Sequence, residues 1–304
     1  MTRANALSIH PVHPVHPGFV GEVSGIDITQ PLTRDEAAAI EAGMDTYGVL
    51  VFHDQHLTDE QQVAFSRNFG EIERAVGSNI TKPSERRLSA DLADISNLDQ
   101  NNQLFARDDR RRMFNLGNRL WHSDSSFRAI SAKFSLLSGR QIPSSGGNTE
   151  FADMRVAYDA LDEATKAEIE DLVTEHSLIF SRGQLGFSDF SDEERHGFTP
   201  VRHRLVRTHP VTGRKSLFLS SHAGGILGWP VPEARAFLRD LAEHATQPQF
   251  RHAHAWRQWD LVMWDNRQTM HRATRYPETT EVRDMRRTTV AGTHPTVQQA
   301  QAAE

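Results

Sequence analysis

The order of strand-like and helix-like segments constrains this chain more than any other feature. Short apolar runs bounded by turn residues recur along it, and helical signals are confined to four stretches. Residues 19–28 alternate apolar side chains with glycines and read as a bent strand, and Val49–Phe52 reads as a short buried one. Further strands are expected over 120–130, 134–139, 250–256, 261–264 and 287–291. Residues 205–208 and 216–219 flank a turn at Gly213 and predict a hairpin. Thr33 with Glu36, and Thr58 with Gln61, are capping boxes that open helices reaching about Tyr47 and Phe69. The second helix meets a stop at Gly70. Amphipathic helices are expected over 158–172 and over 231–245, the latter with Pro232 in its first turn. Strands and helices do not alternate as βαβ units do. The pattern predicts a mostly β fold with flanking helices, an α+β arrangement. No G-x-G-x-x-G or Walker sequence is present, which removes the common nucleotide folds.

The 304 residues suit one domain spanning 1–304, with 1–18 (Pro/His-rich) as an extended tail. Residues 71–118 are polar and lack clear periodicity. A stretch this long in a compact domain is a candidate active-site lid, although Arg107 to Met113 by itself reads as a solvated charged loop. No run of about 18 apolar residues exists and no apolar leader opens the chain, so neither a membrane span nor a secretory signal is expected. Cysteine is absent, which excludes disulfides, thiolate metal sites and a cysteine nucleophile, and a cytoplasmic setting is expected. The net charge of −6 argues against nucleic-acid binding. Of the 34 cations 30 are arginine, the residue suited to gripping carboxylates in a fork. The expected partner is a small anionic molecule, and self-association is left open.

Sixteen histidines turn attention to metals. His122 and Asp124 stand two apart in the expected strand 120–130, so both would project from one face. Chance alone gives about one such H-x-D pair in this composition, and one is found. Its context adds weight: Trp121 and Phe127 flank it, and a buried aspartate needs a partner. His271, after an apolar strand, is the natural third ligand. Two histidines and one carboxylate leave open positions on an octahedral ion, the pattern of non-haem Fe(II) and O2 chemistry. A zinc hydrolase could also use this set, but H-E-x-x-H is absent. His252 and His254 form a competing pair with no carboxylate nearby in sequence and read as a strand face. His209 reads as structural, and His222, beside two glycines, as a candidate pocket residue.

The stretches LWHSDSSF, PSSGGNTEFADMRVAYDAL and DLVMWDNRQTMHRATRY, in this order, resemble the taurine dioxygenase family of Fe(II)/2-oxoglutarate-dependent oxygenases. ADISN at 93–97 and LVRTHP at 205–210 fit as well, and the resemblance runs from about Gly18 to Gly292. It implies a double-stranded β-helix (jelly-roll) core with helices outside. It assigns His122, Asp124 and His271 to iron, the Thr149 hydroxyl to a carboxylate of 2-oxoglutarate, and Arg283 to its distal carboxylate. Arg287 falls where the family holds the substrate's acid group, with Arg286 as a rival. The step from His271 to Arg283 is twelve residues where close relatives have eleven, which implies one inserted residue in the turn at 277–281. With O2 the family converts 2-oxoglutarate to succinate and CO2 while hydroxylating a substrate carbon. The substrate expected first is an aryloxyacetate, cleaved to a phenol and glyoxylate. An N-acylated amino acid or a sulfonate is the alternative, and a metal-binding cupin-like protein without turnover is the alternative of another class.

Overall fold

The computed structural model describes residues 7–75 and 80–297. A mixed seven-stranded sheet forms its centre, in the order β1 (Ser8–Pro11), β2 (Val20–Ser24), β3 (Val49–Phe52), β13 (Leu261–Asp265), β5 (Ala132–Gln141), β15 (Asp284–Ala291) and β4 (Ala93–Asp94). β2 and β3 run parallel, and every other pair is antiparallel. The central strands are apolar on both faces because both are covered. Leu50, Phe52, Leu261 and Met263 face a core that includes Ile40 and Met44 of α1 (Arg34–Thr46) and Phe65 of α2 (Asp59–Arg67). The alternate residues Val49, Val51, Val262 and Trp264 face a second core with Phe151 and Met285. Period-two alternation thus splits VLVF and LVMW between two cores.

A three-stranded sheet packs behind that second core. It runs β12 (Arg251–His254), β6 (Thr149–Asp153), β14 (Thr269–Ala273). A further sheet of β11 (Ala223–Ile226), β7 (Val173–His176) and β8 (Val201–Arg204), and a hairpin of β9 (Val206–Thr208) and β10 (Lys215–Leu217), complete the strands. Helix α8 (Val231–Ala245) covers β11 through Leu238 and Leu241. Mostly β with flanking helices describes this chain. No helix among the described residues is long and apolar enough to cross a membrane.

Both capping boxes form, with Thr33 accepting from the Glu36 amide and Thr58 from the Gln61 amide. Several expectations need correction. The helix expected over 158–172 is two short helices, α4 (Met154–Asp159) and α5 (Glu163–Ile169). Asp153 and Asp162 each cap a fresh N-terminus, and Asp162 holds Thr165 through both amide and hydroxyl. Within 1–18, Ser8–Pro11 is an edge strand, and His13 is buried with its Nε2 3.1 Å from the Arg251 carbonyl. The charged run at 107–113 is not a solvated loop. It opens α3 (Arg110–Asn115), capped by Asp109. Arg110 bonds Asp189 and Glu194 at 2.8 and 2.6 Å, and Arg112 bonds Glu278 at 2.5 Å. Charges scattered along the sequence here find opposite charges more than 70 residues away.

Candidate active site

The segment 120–130 is not a strand. His122 makes one bridge to His271, its amide donating to the His271 carbonyl at 3.0 Å and its carbonyl accepting from the His271 amide at 2.8 Å. The chain then turns through Ser125, a non-glycine residue at φ 55°, and Arg128 donates back to the Ser125 carbonyl. This turn, rather than strand alternation, points Asp124 back toward both histidines. The Asp124 amide is fixed by Asn266 Oδ1 at 3.0 Å. Its Oδ2 accepts from Ser135 at 2.7 Å, and Asn266 in turn bonds Ser135 and Trp264. β5, β13 and the loop after it thereby set the carboxylate's position.

His122 Nε2 lies 3.8 Å from Asp124 Oδ1, and His271 Nε2 lies 3.6 Å from Asp124 Oδ2. One ligand atom from each of the three lies within 4.8 Å of the others, and all three residues are buried. The separations of 3.8 and 3.6 Å are ones that an ion with bonds of about 2.1 Å can bridge. His122 Nδ1 lies 2.7 Å from the Leu120 carbonyl, so that nitrogen carries the proton and Nε2 presents a lone pair. Burial pushes both histidines below their ordinary pKa, which keeps them neutral and able to ligate. Burial alone would raise Asp124. The Arg287 guanidinium, with help from the Ser135 hydrogen bond, outweighs it and brings Asp124 down to about 2. Two neutral imidazoles and a carboxylate fit a divalent metal.

β15 supplies the arginines. The irregularity near Asp284 places the extra residue, Arg140, on β5, so alternation along β15 is kept. Arg287 reaches inward and pairs with Asp124. Arg286 points the other way, to Asp59 at 2.6 Å under α2, which answers which of the two faces the site. Arg283 lies one residue before β15 and is 4 % exposed. No acidic partner bonds it among the described residues. Among the described residues its guanidinium donates only to the Gly147 carbonyl, from Nε and Nη2 at 3.3 and 3.2 Å. Burial lowers its pKa to about 10. Gly146 and Gly147 both sit at φ 68°, and a Cβ on Gly146 would lie 2.2 Å from the Arg275 carbonyl, so glycine is required in this turn. Thr149 accepts the Trp256 indole N–H at 3.0 Å, which leaves its own hydroxyl proton free to donate. A small recess joins Thr149, Arg283, Arg287, His122 and His271.

A larger cleft opens beside His122 and Arg287. His122, Asp124, Arg287 and His222 line it, and much of its wall comes from 80–98 and 105–118. His222 is buried, its ring 5.0 Å from Phe127. Of the segment 181–200, only Arg182 reaches the cleft; Phe187, Phe190 and Phe198 pack behind it around Phe114. Arg87 ties the wall to β15 by bonding both Asp94 and Asp284. Neither Arg87 nor Arg182 belongs to a recognisable motif, and no local signal marks them. His252 and His254 are a strand face as expected, but folding brings a carboxylate to them: Asp260 bonds both His254 and His53, at 3.0 and 2.6 Å.

The family model described as "Taurine catabolism dioxygenase TauD, TfdA family" matches residues 11–289. The chain belongs to this dioxygenase family. It is 45% identical over 288 residues to an α-ketoglutarate-dependent 2,4-dichlorophenoxyacetate dioxygenase from Burkholderia sp. (strain RASC), covering 95% of this chain and 94% of that one. It is 40% identical over 262 residues to an (S)-phenoxypropionate/α-ketoglutarate dioxygenase from Sphingobium herbicidovorans, covering 83% and 85%. The crystal structure of AAD-2 in complex with Mn(II) and N-oxalylglycine superposes with a TM-score of 0.93 at 60% identity, covering 96% of this chain and all of that one. The enzyme class expected of this TauD/TfdA member from its sequence, a metal- and 2-oxoglutarate-dependent dioxygenase, is borne out.

Proposed function

We propose that the protein hydroxylates aryloxyalkanoic acids at the carbon between carboxylate and ether oxygen, releasing a phenol and an oxo acid. The reading rests on one observation above others: a buried His–Asp–His triad borders two recesses, and the one shared with Thr149 holds Arg283, which has no acidic partner among the described residues. The named relatives act on phenoxy acids, and a structural neighbour carries N-oxalylglycine, which has the carboxylate spacing of 2-oxoglutarate. In this reading His122, Asp124 and His271 hold iron, Thr149 and Arg283 hold 2-oxoglutarate, and Arg287 and His222 face the substrate. The strands form a double-stranded β-helix core, and 71–118 acts as a lid on a single domain.

Iron, with 2-oxoglutarate and O2, supplies the oxidation that replaces a C–H bond by C–OH when these groups are bound. The chain's own part is binding and exclusion. Arg283 gives a fixed two-pronged contact to the distal carboxylate of 2-oxoglutarate, and the Thr149 hydroxyl donates to the same molecule. Arg287, anchored on Asp124, turns the acid group of the substrate so that the adjacent carbon faces the metal position. The lid, pinned by Arg87 and Arg112, keeps water from the reacting carbon. Hydroxylation beside the aryl oxygen yields a hemiacetal, and its collapse gives the phenol and glyoxylate. The test is a panel of phenoxyacetates, N-acyl amino acids and taurine scored for succinate and phenol. Phenol and succinate in equal amounts from phenoxyacetates are expected. Succinate release coupled only to N-acyl amino acids or taurine overturns the substrate assignment.

A further inference from the structure

We propose that Arg182 is a second cationic contact for the substrate's carboxylate, beside Arg287. The inference rests on the dioxygenase reading above. Arg182 stands at the end of α6 (Leu178–Gly183) and is 6 % exposed. No carboxylate among the described residues pairs with it. Its one hydrogen bond runs from Nη1 to Ser181 Oγ at 3.2 Å, its Nε has no partner, and its guanidinium lies 4.5 Å from the Phe114 ring centre. A buried cation in this condition is costly and calls for an anion. The cleft it lines is the one bounded by His122, Asp124, His222 and Arg287, and its charge is felt at both His122 and His222.

The charges can be matched to ligands. Around the triad Arg287 has an acid within bonding reach, Asp124, while Arg283 and Arg182 have none among the described residues. They lie in different recesses, Arg283 with Thr149 and Arg182 with His222. Two free cations in two recesses correspond to two carboxylates that arrive from solution: the distal end of 2-oxoglutarate and the acid group of the substrate. The chain also makes room for Arg182. A Cβ on Gly117 would lie 2.3 Å from the Arg182 guanidinium carbon and Nη1, although the backbone at Gly117 is one that alanine adopts readily. Glycine at 117 therefore permits the guanidinium to sit where it does.

Two kinds of variant test this. Arg182→Gln removes the charge and Arg182→Lys keeps it without the fork, while Gly117→Ala displaces the guanidinium and leaves every charge in the chain. KM for a phenoxyacetate, KM for 2-oxoglutarate, kcat and Tm are measured for each. The expected result for Arg182→Gln is a rise in the acid's KM of about 30-fold or more, an unchanged KM for 2-oxoglutarate, and a Tm equal to or above wild type. Arg182→Lys should recover part of the loss, and Gly117→Ala should raise the acid's KM alone. An unchanged acid KM in Arg182→Gln overturns the proposal, as does a rise confined to 2-oxoglutarate. A lowered Tm with intact acid KM would make the residue structural. If wild type turns over a different acid, the variants are assayed with that acid. The substrate assignment then falls while the role of Arg182 is still decided.

Discussion

Replacing Arg283 with methionine should make the free protein more stable and nearly blind to 2-oxoglutarate. Burial lowers the Arg283 pKa from the ordinary guanidinium value to about 10, a shift worth on the order of 3 kcal/mol against keeping this charge inside. The two bonds to the Gly147 carbonyl return about 1 kcal/mol. Arg283→Met should therefore gain about 1–2 kcal/mol, or a few degrees in Tm. Binding runs the other way. A buried carboxylate deprived of a two-pronged arginine loses about 2–5 kcal/mol, which is roughly 30-fold to several thousand-fold in Kd. Thermal melts with Mn(II), with and without 2-oxoglutarate at about 100 times the wild-type Kd, separate the two effects. The ligand should add about 2.7 kcal/mol to wild type and at most about 0.9 kcal/mol to the variant. The variant's lead in stability should thus shrink or reverse on adding ligand. A variant that melts lower when free, or one that keeps its ligand shift, refutes the reasoning. Loss of the shift in Arg287→Met rather than Arg283→Met would show that the insertion at 277–281 has been placed wrongly.

Replacing His122, Asp124 or His271 with alanine should abolish Mn(II) binding by titration calorimetry along with turnover, and full activity in any one of them removes that residue from the ligand set. Arg155 is the contrast to Arg283, being buried but paired with Asp153 at 2.8 Å and bonded to the Thr46 and Gly18 carbonyls. Arg155→Met should cost about 3–5 kcal/mol by denaturant titration, because it strands a buried carboxylate, while activity per folded molecule is unchanged. Acid should destabilise the protein through His203, which burial, with help from Arg207, holds down to about 4. The unfolded chain takes up this proton near pH 6.5 and the folded one does not, so stability is full above pH 6.5 and falls toward pH 4. The loss between pH 7.5 and 5 is about 2 kcal/mol from this group. His203→Asn should flatten the pH dependence of Tm by that amount, and an unaltered slope would show that His203 is not its source.

Where physics is local, the sequence by itself determined the outcome. Both capping boxes, the hairpin turning at Gly213, the glycine pair at 146 and 147, and helix Val231–Ala245 follow from residues within a few positions of one another. The same holds for VLVF and LVMW, whose unbroken apolarity requires cover on both faces. Two histidines and a carboxylate were also legible as a ligand set, since residue type alone sets which ions they suit. The tertiary structure decided what depends on distant partners. His122 and Asp124 converge through a turn at Ser125 and a network from Ser135 and Asn266, where strand alternation in 120–130 was expected. Arg286 and Arg287 differ only in which face of β15 meets α2, and that is fixed by Asp59, more than 200 residues earlier. The arginines at 110 and 112 look solvated until Glu194 and Glu278 arrive. Arg182 carries no local mark because what distinguishes it is the absence of an acid across a folded cleft. A charge's meaning lies in what neutralises it, and only the folded chain decides which of its charges are left over.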